Sequence, residues 1–530
     1  MESAMLVSME THESGVLIIG GGCAALRAAL EAAKSGAEVA LISKGLVGFA
    51  NCTYHSGGVL NAPKDERSRE AHFKLTLRVG RGLNDRALVR ELVEDAYGRV
   101  AELRAFGIRM RIIRGRAYVL GQGPELAKGL LRAVEEAGVR LVSKTMALRI
   151  LSDGEKALGA LCYNYEKRRF VSFFAKAVVL ATGGAGAIYE RSTNPLRMTG
   201  DGYVMALRAG LRLRDMEFVQ FYPLTLAELR LPTKTVPPGF AEVGKLVSSS
   251  GEDIPDKYGL TDRPLAVRSR DLLSRALFSE LSSGEEVILD LRGVAEEELR
   301  LNPFMEGFLK HLGARRTLRV MPACHHFMGG VVIDERCRTG LSGLLACGEV
   351  VGGIHGANRL GGNALTDCLV FGAIAGGEAV RHVQESELVV DEKLAEEELE
   401  ELRLLFQEVP SKTGEPEGLL GAIRALMWEE VGIARTEEGL REAISELERM
   451  GEERAPLRAR PGRELMLAFE ALSALEVARV IARAALAREE TRGAHYRLDF
   501  PEQSEEWVKS IVIKADGERL RLSFVKPGRE

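Results

Sequence analysis

The chain has 530 residues, 28% charged and 46% hydrophobic, an ordinary globular composition with room for roughly two to four domains. Its net charge of −4 offers no basic field to nucleic acid, and no run of about 18 or more apolar residues is present to span a membrane. The seven cysteines are scattered without a CxxC pair, which argues against zinc or an iron–sulfur cluster held by this chain alone and fits a reducing cytoplasm.

In chain order, MESAMLVSMETHESG lacks a basic region and a long apolar stretch, so no signal peptide is expected. Val16 to Ile19 reads as an apolar strand, followed by Gly20-Gly21-Gly22-Cys23-Ala24-Ala25, a helical run Leu26 to Lys34 and a second strand Val39 to Ile42. This is the dinucleotide-binding βαβ unit: one glycine makes the turn and another admits a pyrophosphate to the helix N-terminus. Ala25 stands at the third glycine. Ser43-Lys44 replaces the acidic residue that would grip an NAD ribose, which counts against plain NAD binding. Gly48 to Ala62 reads as a polar loop. Asn84-Asp85 can cap a helix to about Ala105, and another helix runs from about Pro124 to Ala137. Arg140 to Phe174 alternates in short strands, an expected antiparallel meander. Ala177 to Leu180 is a buried strand ending in Ala181-Thr182-Gly183. Asp201, at a glycine turn, either accepts from a ribose hydroxyl or caps the turn.

From about Leu226 to Thr317 the sheet pattern is lost, which reads as an inserted domain; the strand-and-glycine pattern resumes at Leu318. Met321 to Asp367 is then crowded with glycine around His325, His326, Glu349, His355, Asn358, Arg359 and Asn363, as expected where a large ligand lies against main chain. Helices return from about Leu394, among them Leu419 to Met427, Leu440 to Met450 and Glu464 to Glu490. A hairpin, Ile511 to Ile513 with Leu520 to Phe524, turns at Asp516-Gly517.

The stretches VLIIGGGCAALRAAL, LATGGAGAIYERSTN, MTGDGYVMALRAGLRLRDMEFVQF, SRDLLSR, MPACHHFMGG, HGANRLGGNALTD and EETRGAHYRLDFP occur in that order from residue 16 to 501. In this combination the chain resembles the flavoprotein subunits of the succinate dehydrogenase and fumarate reductase family, which includes L-aspartate oxidase. The resemblance implies an α/β fold: a split Rossmann-like FAD-binding domain (1–225 and 318–390), an inserted α+β capping domain (226–317), a C-terminal helical domain (391–500) and a tail with a hairpin (501–530). It implies FAD contacts at Gly20, Gly22, Cys23, Ala24, Ala25, Ser43, Lys44, Asn51, Gly57, Gly58, Ala181, Thr182, Gly183, Asp201, Glu349, Arg359, Asn363, Ala364 and Leu365. It implies Arg270 as the proton-handling arginine, with His325 and Arg359 as catalytic groups and carboxylate ligands; Tyr222 and Gly362 complete the expected substrate contacts. Such an enzyme interconverts a carboxylate-bearing alkene and alkane by hydride transfer at flavin N5. A guanidinium grips a carboxylate through two hydrogen bonds, and clustered cations polarise the alkene.

The departures are as informative. Asn51 stands where members with covalent flavin carry histidine, so noncovalent FAD is expected. The family's QxHP reads Gln220-Phe221-Tyr222-Pro223, and its TEGxRGEGG segment reads VPPGFAEVG, placing Val236, Pro237 and Phe240 at the Thr, Glu and Arg. These changes favour a monocarboxylate, or a dicarboxylate with a bulkier tail, over succinate, unless cap residues outside the motif supply replacement donors. Proton delivery to Arg270 would fall to Glu242, Lys245 or water. With no second nucleotide fingerprint and no cluster motif, electrons are expected to reach FAD from an iron–sulfur partner or a small carrier, or to leave to oxygen as in L-aspartate oxidase. The rival readings are an L-aspartate oxidase-like enzyme and a non-catalytic flavin electron-transfer subunit. No metal is expected, nor nucleic acid nor a direct membrane span. The expected location is the cytoplasm, with any membrane association made through partner subunits.

Overall fold

The computed structural model describes residues 9–227, 233–313, 315–454, 456–517 and 519–528. Residues 1–8 of the N-terminal stretch expected to hold no signal peptide, and residues 228–232 and 314 of the expected capping domain, lie outside the described residues.

The principal sheet has five parallel strands in the spatial order Arg140–Val142, Val39–Ile42, Glu10–Ile19, Arg169–Leu180, Leu344–Ala346. The central runs VLII, VALI and AVVL are continuously apolar because both faces of the sheet are covered. Ile19 pairs with Ile42 on one side and Leu180 on the other, so these strands end level and Gly20–Gly22 and Ala181–Gly183 issue from one edge. Arg140–Val142 does not join the expected meander. It follows the helix Gln122–Glu136 and pairs parallel with Val39–Ile42, as a helical crossover dictates. The meander itself is Thr145–Ser152, Ala157–Asn164 and the first half of Arg169–Leu180.

The helix Cys23–Lys34 packs against a second helix, Asn363–Glu385, which begins well before the helical segment expected from Leu394. A Cβ at Gly372 would come within 2.8 Å of the Ala24 carbonyl oxygen, and one at Gly376 within 2.4 Å of that of Ala28. These two glycines therefore serve close helix packing. Gly329 and Gly330 similarly meet the backbone of Asp215 and Val350, so part of the glycine density read as ligand contact is internal packing.

The insertion does not lose the sheet. Lys245–Ser248 and Val287–Asp290 extend an antiparallel sheet with Thr317–Phe327 and Val219–Leu226, each added strand being only four residues long. It has its own apolar core, including Leu224, Val236, Phe240, Leu273, Leu289 and Met305. The two longer strands run from the main body into this cap.

Helices Glu415–Glu429, Glu437–Arg454 and Arg463–Ala487 form the C-terminal layer. Beyond them the chain returns to the main body. Arg488 Nε lies 2.6 Å from Glu217 Oε1, Ser510 Oγ donates to Asp215 Oδ2 at 3.1 Å, and the strand Ser510–Asp516 pairs with Arg212–Arg214. Ser510–Asp516 and Arg519–Val525 make the expected hairpin, with Gly517 at φ +61°. Among the described residues, no helix is long and apolar enough to cross a membrane.

Candidate active site

Two adjoining cavities open at the C-terminal edge of the parallel sheet, where a doubly wound sheet places its ligands. The smaller, about 330 Å³, is lined by Gly20–Gly22, Cys23, Ala24, Ser43, Lys44, Asn51, Ala181–Gly183 and Asp201. The larger, about 630 Å³, lies between the sheet and the cap. Cys52, Thr53, Glu349 and Cys368 line both.

The smaller cavity has the form of a nucleotide cradle. Gly20 sits at φ +144°, and a Cβ there would lie 2.1 Å from the Ala181 carbonyl oxygen, so no side chain is admissible. The helix Cys23–Lys34 starts at Gly22, which has no capping side chain; Thr53 Oγ1 accepts from the Cys23 N–H at 2.9 Å, and the positive end of the helix borders the cavity. Buried Thr182 Oγ1 has no hydrogen-bond partner among the described residues. Lys44 Nζ is 2.6 Å from Asp201 Oδ2 and 3.0 Å from Glu470 Oε1. Burial by itself would lower the lysine's pKa, but the Asp201 and Glu470 carboxylates outweigh it and hold the ammonium above its ordinary range. Asp201 Oδ1 accepts from Thr199 at 2.8 Å. Both Asp201 oxygens are thus engaged within the protein, although the residue borders the cavity as a ribose contact would. The glycine turn, the helix N-terminus and the orphaned hydroxyl together fit FAD.

Asn51 is the N-cap of the short helix Cys52–His55: its Oδ1 accepts from the Tyr54 N–H at 3.0 Å and its Nδ2 donates to the Gly21 carbonyl at 2.8 Å. The loop expected over Gly48 to Ala62 is thus held by this helix and the strand Val59–Asn61. Gly57 and Gly58 line the larger cavity. A Cβ on Gly57 would strike the Phe304 ring of the cap at 2.7 Å, so the first glycine of this pair makes room for the cap.

The larger cavity brings together Tyr222, Arg270, His325, Arg359 and Gly362, contributed by both cap and main body. Gln220 joins them: its Nε2 donates to Asn358 Oδ1 at 2.8 Å and to the Arg359 carbonyl at 3.0 Å, while its Oε1 accepts from Arg270 Nη1 at 3.1 Å. Arg270 Nε also donates to the Ala266 carbonyl at 2.8 Å, and its guanidinium lies 5.0 Å over the Tyr222 ring. Arg270 and Arg359 are both buried, and no carboxylate among the described residues lies within ion-pair distance of either. Burial pushes Arg359 down to about 9, helped by the charge of Arg270, and burial pushes Arg270 down to about 10. Two charges that water would solvate are thus buried without a carboxylate partner among the described residues. His325 Nδ1 is 2.8 Å from Thr193 Oγ1, and burial followed by the two arginines holds the ring well below its ordinary pKa, hence neutral. His326 borders the same cavity, 3.5 Å from Glu349 Oε1 and ring to ring with His355. Glu349 Oε1 accepts from the Phe327 N–H at 3.0 Å; burial raises this carboxyl to about 7. Of the expected cofactor contacts, Ala364 and Leu365 border the larger cavity. Ala25 and Asn363 are packed inside, Asn363 bonding Asn61 and His72.

Neither Glu242 nor Lys245 borders the cavity. Glu242 instead accepts from the Leu265 N–H at 2.7 Å and pairs with Arg263. Val236 and Phe240 are buried in the cap core and do not line the cavity. The residues that sequence reasoning missed are Thr193, Gln220, Arg116 and Lys234, all but Gln220 on the cavity wall. Gln220 and Thr193 stand inside the matched stretches, so the motif was a usable signal. Arg116, in the short strand Arg116–Val119, and Lys234, ahead of VPPGF, carried none.

Comparison with known proteins places the chain in a family. The profile described as "FAD binding domain" matches residues 15–365, and that described as "Fumarate reductase flavoprotein C-term" matches 421–527. The fumarate reductase flavoprotein of Escherichia coli K12 is 31% identical, over 93% of this chain and 89% of its own. A fumarate reductase (CoM/CoB) chain of Methanothermobacter marburgensis is 34% identical, over 95% of this chain and 97% of its own. L-Aspartate oxidase of Synechocystis is 30% identical, over 98% of this chain and 100% of its own. The structure of an E. coli quinol fumarate reductase FrdA mutant superposes with a TM-score of 0.88 at 29% identity, covering 98% of both chains. The fold and site thus define an FAD-dependent oxidoreductase of mixed α/β architecture. The chain belongs to the succinate dehydrogenase and fumarate reductase flavoprotein family, which includes L-aspartate oxidase.

Proposed function

We propose that this protein interconverts a carboxylate-bearing alkene and the corresponding alkane, exchanging electrons with an iron–sulfur subunit. The observation that carries the reading is the meeting of Arg270, Arg359 and neutral His325 in a buried cavity contiguous with the nucleotide cradle, with no carboxylate paired to either arginine among the described residues. Bound FAD supplies the hydride donor or acceptor. Arg359 grips a substrate carboxylate, His325 donates or accepts a hydrogen bond beside it, and Arg270 holds or delivers the proton at the reacting carbon. Gln220 ties the Arg270 guanidinium to the main chain at Arg359, through that residue's carbonyl. An acid near 10 is a far better proton donor than an ordinary guanidinium. The absence of a CxxC pair, the names of the fumarate reductase relatives and the family resemblance support a separate electron-carrying subunit. The scattered reduced thiols support a cytoplasmic site of action.

The test is anaerobic oxidation of reduced viologen by the FAD-loaded protein with fumarate and larger carboxylated alkenes. Alkene-dependent bleaching that disappears in Arg270→Lys is expected. FAD retention with no turnover on any such alkene would select the non-catalytic reading, and aspartate-dependent peroxide would select aspartate oxidation. The cavity wall argues against the latter: Glu349 is its only acidic residue among the described ones, and an α-ammonium group needs an acceptor.

A further inference from the structure

Glu349 lines both cavities where the nucleotide cradle meets the space beneath the cap, and its side chain is only 11% exposed. A carboxylate in such a place needs several donors or a cation, and this one has little. Its Oε1 accepts from the Phe327 N–H at 3.0 Å, and among the described residues no lysine or arginine comes within ion-pair distance of it. The side chain that does approach is His326, with Nδ1 at 3.5 Å. A carboxyl held this way is relieved by a proton, and burial accordingly raises it to about 7. His326 leads inward. Its Nε2 is buried and unpartnered among the described residues, and its ring centre lies 5.2 Å from that of His355. His355 Nε2 in turn lies 3.3 Å from Asp367 Oδ2. Glu349, His326, His355 and Asp367 thus make a buried row from the cavity junction to the helix Asn363–Glu385. Burial, reinforced by Arg359 and Arg270 facing it, holds the His326 imidazole neutral; burial does the same for His325 and His355. The Cys52 and Cys324 thiols and the Tyr203 phenol also face Glu349 and are kept neutral by burial. Arg359 favours the ionised form of Glu349, and Asp367 at the far end of the row opposes it. Glu349 is therefore the member of the row, open to both cavities, at which a proton is exchanged.

We propose that the reducible ring of bound FAD lies against this junction, and that Glu349, supported by His326, takes up a proton when the flavin is reduced and releases it when the flavin is reoxidised. Two electrons and one proton added to a flavin leave it one negative charge richer. A second proton, taken from solvent, forms an O–H bond on the Glu349 carboxylate and cancels that charge; reoxidation breaks the bond and returns the proton. The electrons are those the oxidoreductase already exchanges, so no further reactant is needed. This linkage requires FAD but no carboxylate-bearing substrate, and it stands apart from the alkene reading.

The test is a spectroelectrochemical titration of the FAD-loaded protein, with viologen mediators and no substrate, from roughly pH 7.5 to 9, where Glu349 of the oxidised protein is ionised. The wild type should take up close to two protons per electron pair, a hundredfold change in the equilibrium per pH unit, or about 59 mV. Glu349→Gln should take up one, a tenfold change, or about 30 mV per pH unit. His326→Phe leaves the carboxylate with less support, so its two-proton regime should begin at higher pH than in the wild type. A wild type that takes up one proton per pair throughout, or Glu349→Gln that still takes up two, overturns the proposal. An onset unmoved in His326→Phe removes His326 from it. If Glu349→Gln fails to hold FAD, the wild-type count and the His326→Phe onset decide. Viologen kinetics with fumarate separate this from the alkene reading. Two-proton uptake without turnover on any carboxylated alkene keeps the proton site and refutes alkene reduction. Turnover with one-proton uptake keeps alkene reduction and refutes the proton site.

Discussion

The hydroxyl of Tyr222 donates a 2.7 Å hydrogen bond to the carbonyl oxygen of Val236, so the residues standing at the expected histidine and threonine bind each other. Tyr222→Phe should therefore cost about 1–2 kcal/mol of stability, because the buried carbonyl loses its donor. KM should stay near the parent value. Urea unfolding alongside steady-state kinetics checks this; a KM raised about tenfold with unchanged stability would show that the hydroxyl reaches substrate instead.

Arg359→Ala should retain FAD and lose substrate affinity equivalent to about 2–5 kcal/mol, the range for removing one member of a buried charged contact. Arg270→Lys should act on the other parameter, lowering kcat by about 10²–10⁴-fold while the alkene still binds. Measuring both parameters for both variants tests the division of labour; a kcat left intact in Arg270→Lys would remove that residue from proton transfer.

Flavin should be released completely by acid precipitation. The Asn51 side chain is committed to capping Cys52–His55 and to the Gly21 carbonyl, and it carries no nucleophilic ring nitrogen. Yellow colour or fluorescence that stays with the denatured chain on a gel would point to His55 or a cysteine as the attachment point.

The carboxyl of Glu349 sits at about 7 in the fold against an ordinary 4.5. A raised carboxyl costs stability only where it is forced to ionise. The cost is absent below about pH 4.5, grows through the interval, and is complete above about pH 7, where it reaches roughly 3 kcal/mol. In flavin-free protein, Glu349→Gln should gain stability relative to wild type as pH rises from 4.5 to 7. Chemical denaturation across that range decides it; a difference that does not vary with pH would mean the carboxyl titrates normally.

The βαβ unit was readable because its signals are local: a continuous apolar strand, three glycines and an amphipathic helix within thirty residues. The cap strands Lys245–Ser248 and Val287–Asp290 were not, because four-residue strands among charged loops have too little alternation to register. Asn363–Glu385 escaped for a different reason. Gly372 and Gly376 look like helix breakers along the chain, and only the approach of Cys23–Lys34 explains them. At the site, Arg270, His325 and Arg359 came from motifs and do line one cavity. Arg116 and Lys234 belong to no motif. A lone cation in a short strand looks like any solvated surface residue until the fold reveals that no carboxylate among the described residues pairs with it.

The pairing of Arg488 with Glu217, and of Ser510 with Asp215, also bears on biosynthesis. Asp215 and Glu217 lie inside the main body, yet their partners are translated almost three hundred residues later. A nascent chain that had closed its nucleotide fold early would bury Glu217 without its Arg488 counterpart and leave Asp215 with Arg214 but without its Ser510 donor, an expensive state for any interior. The main body therefore cannot settle until the last tenth of the polypeptide has left the ribosome. Premature termination anywhere before Ser510 should yield not a shorter enzyme but an aggregation-prone intermediate dependent on chaperones.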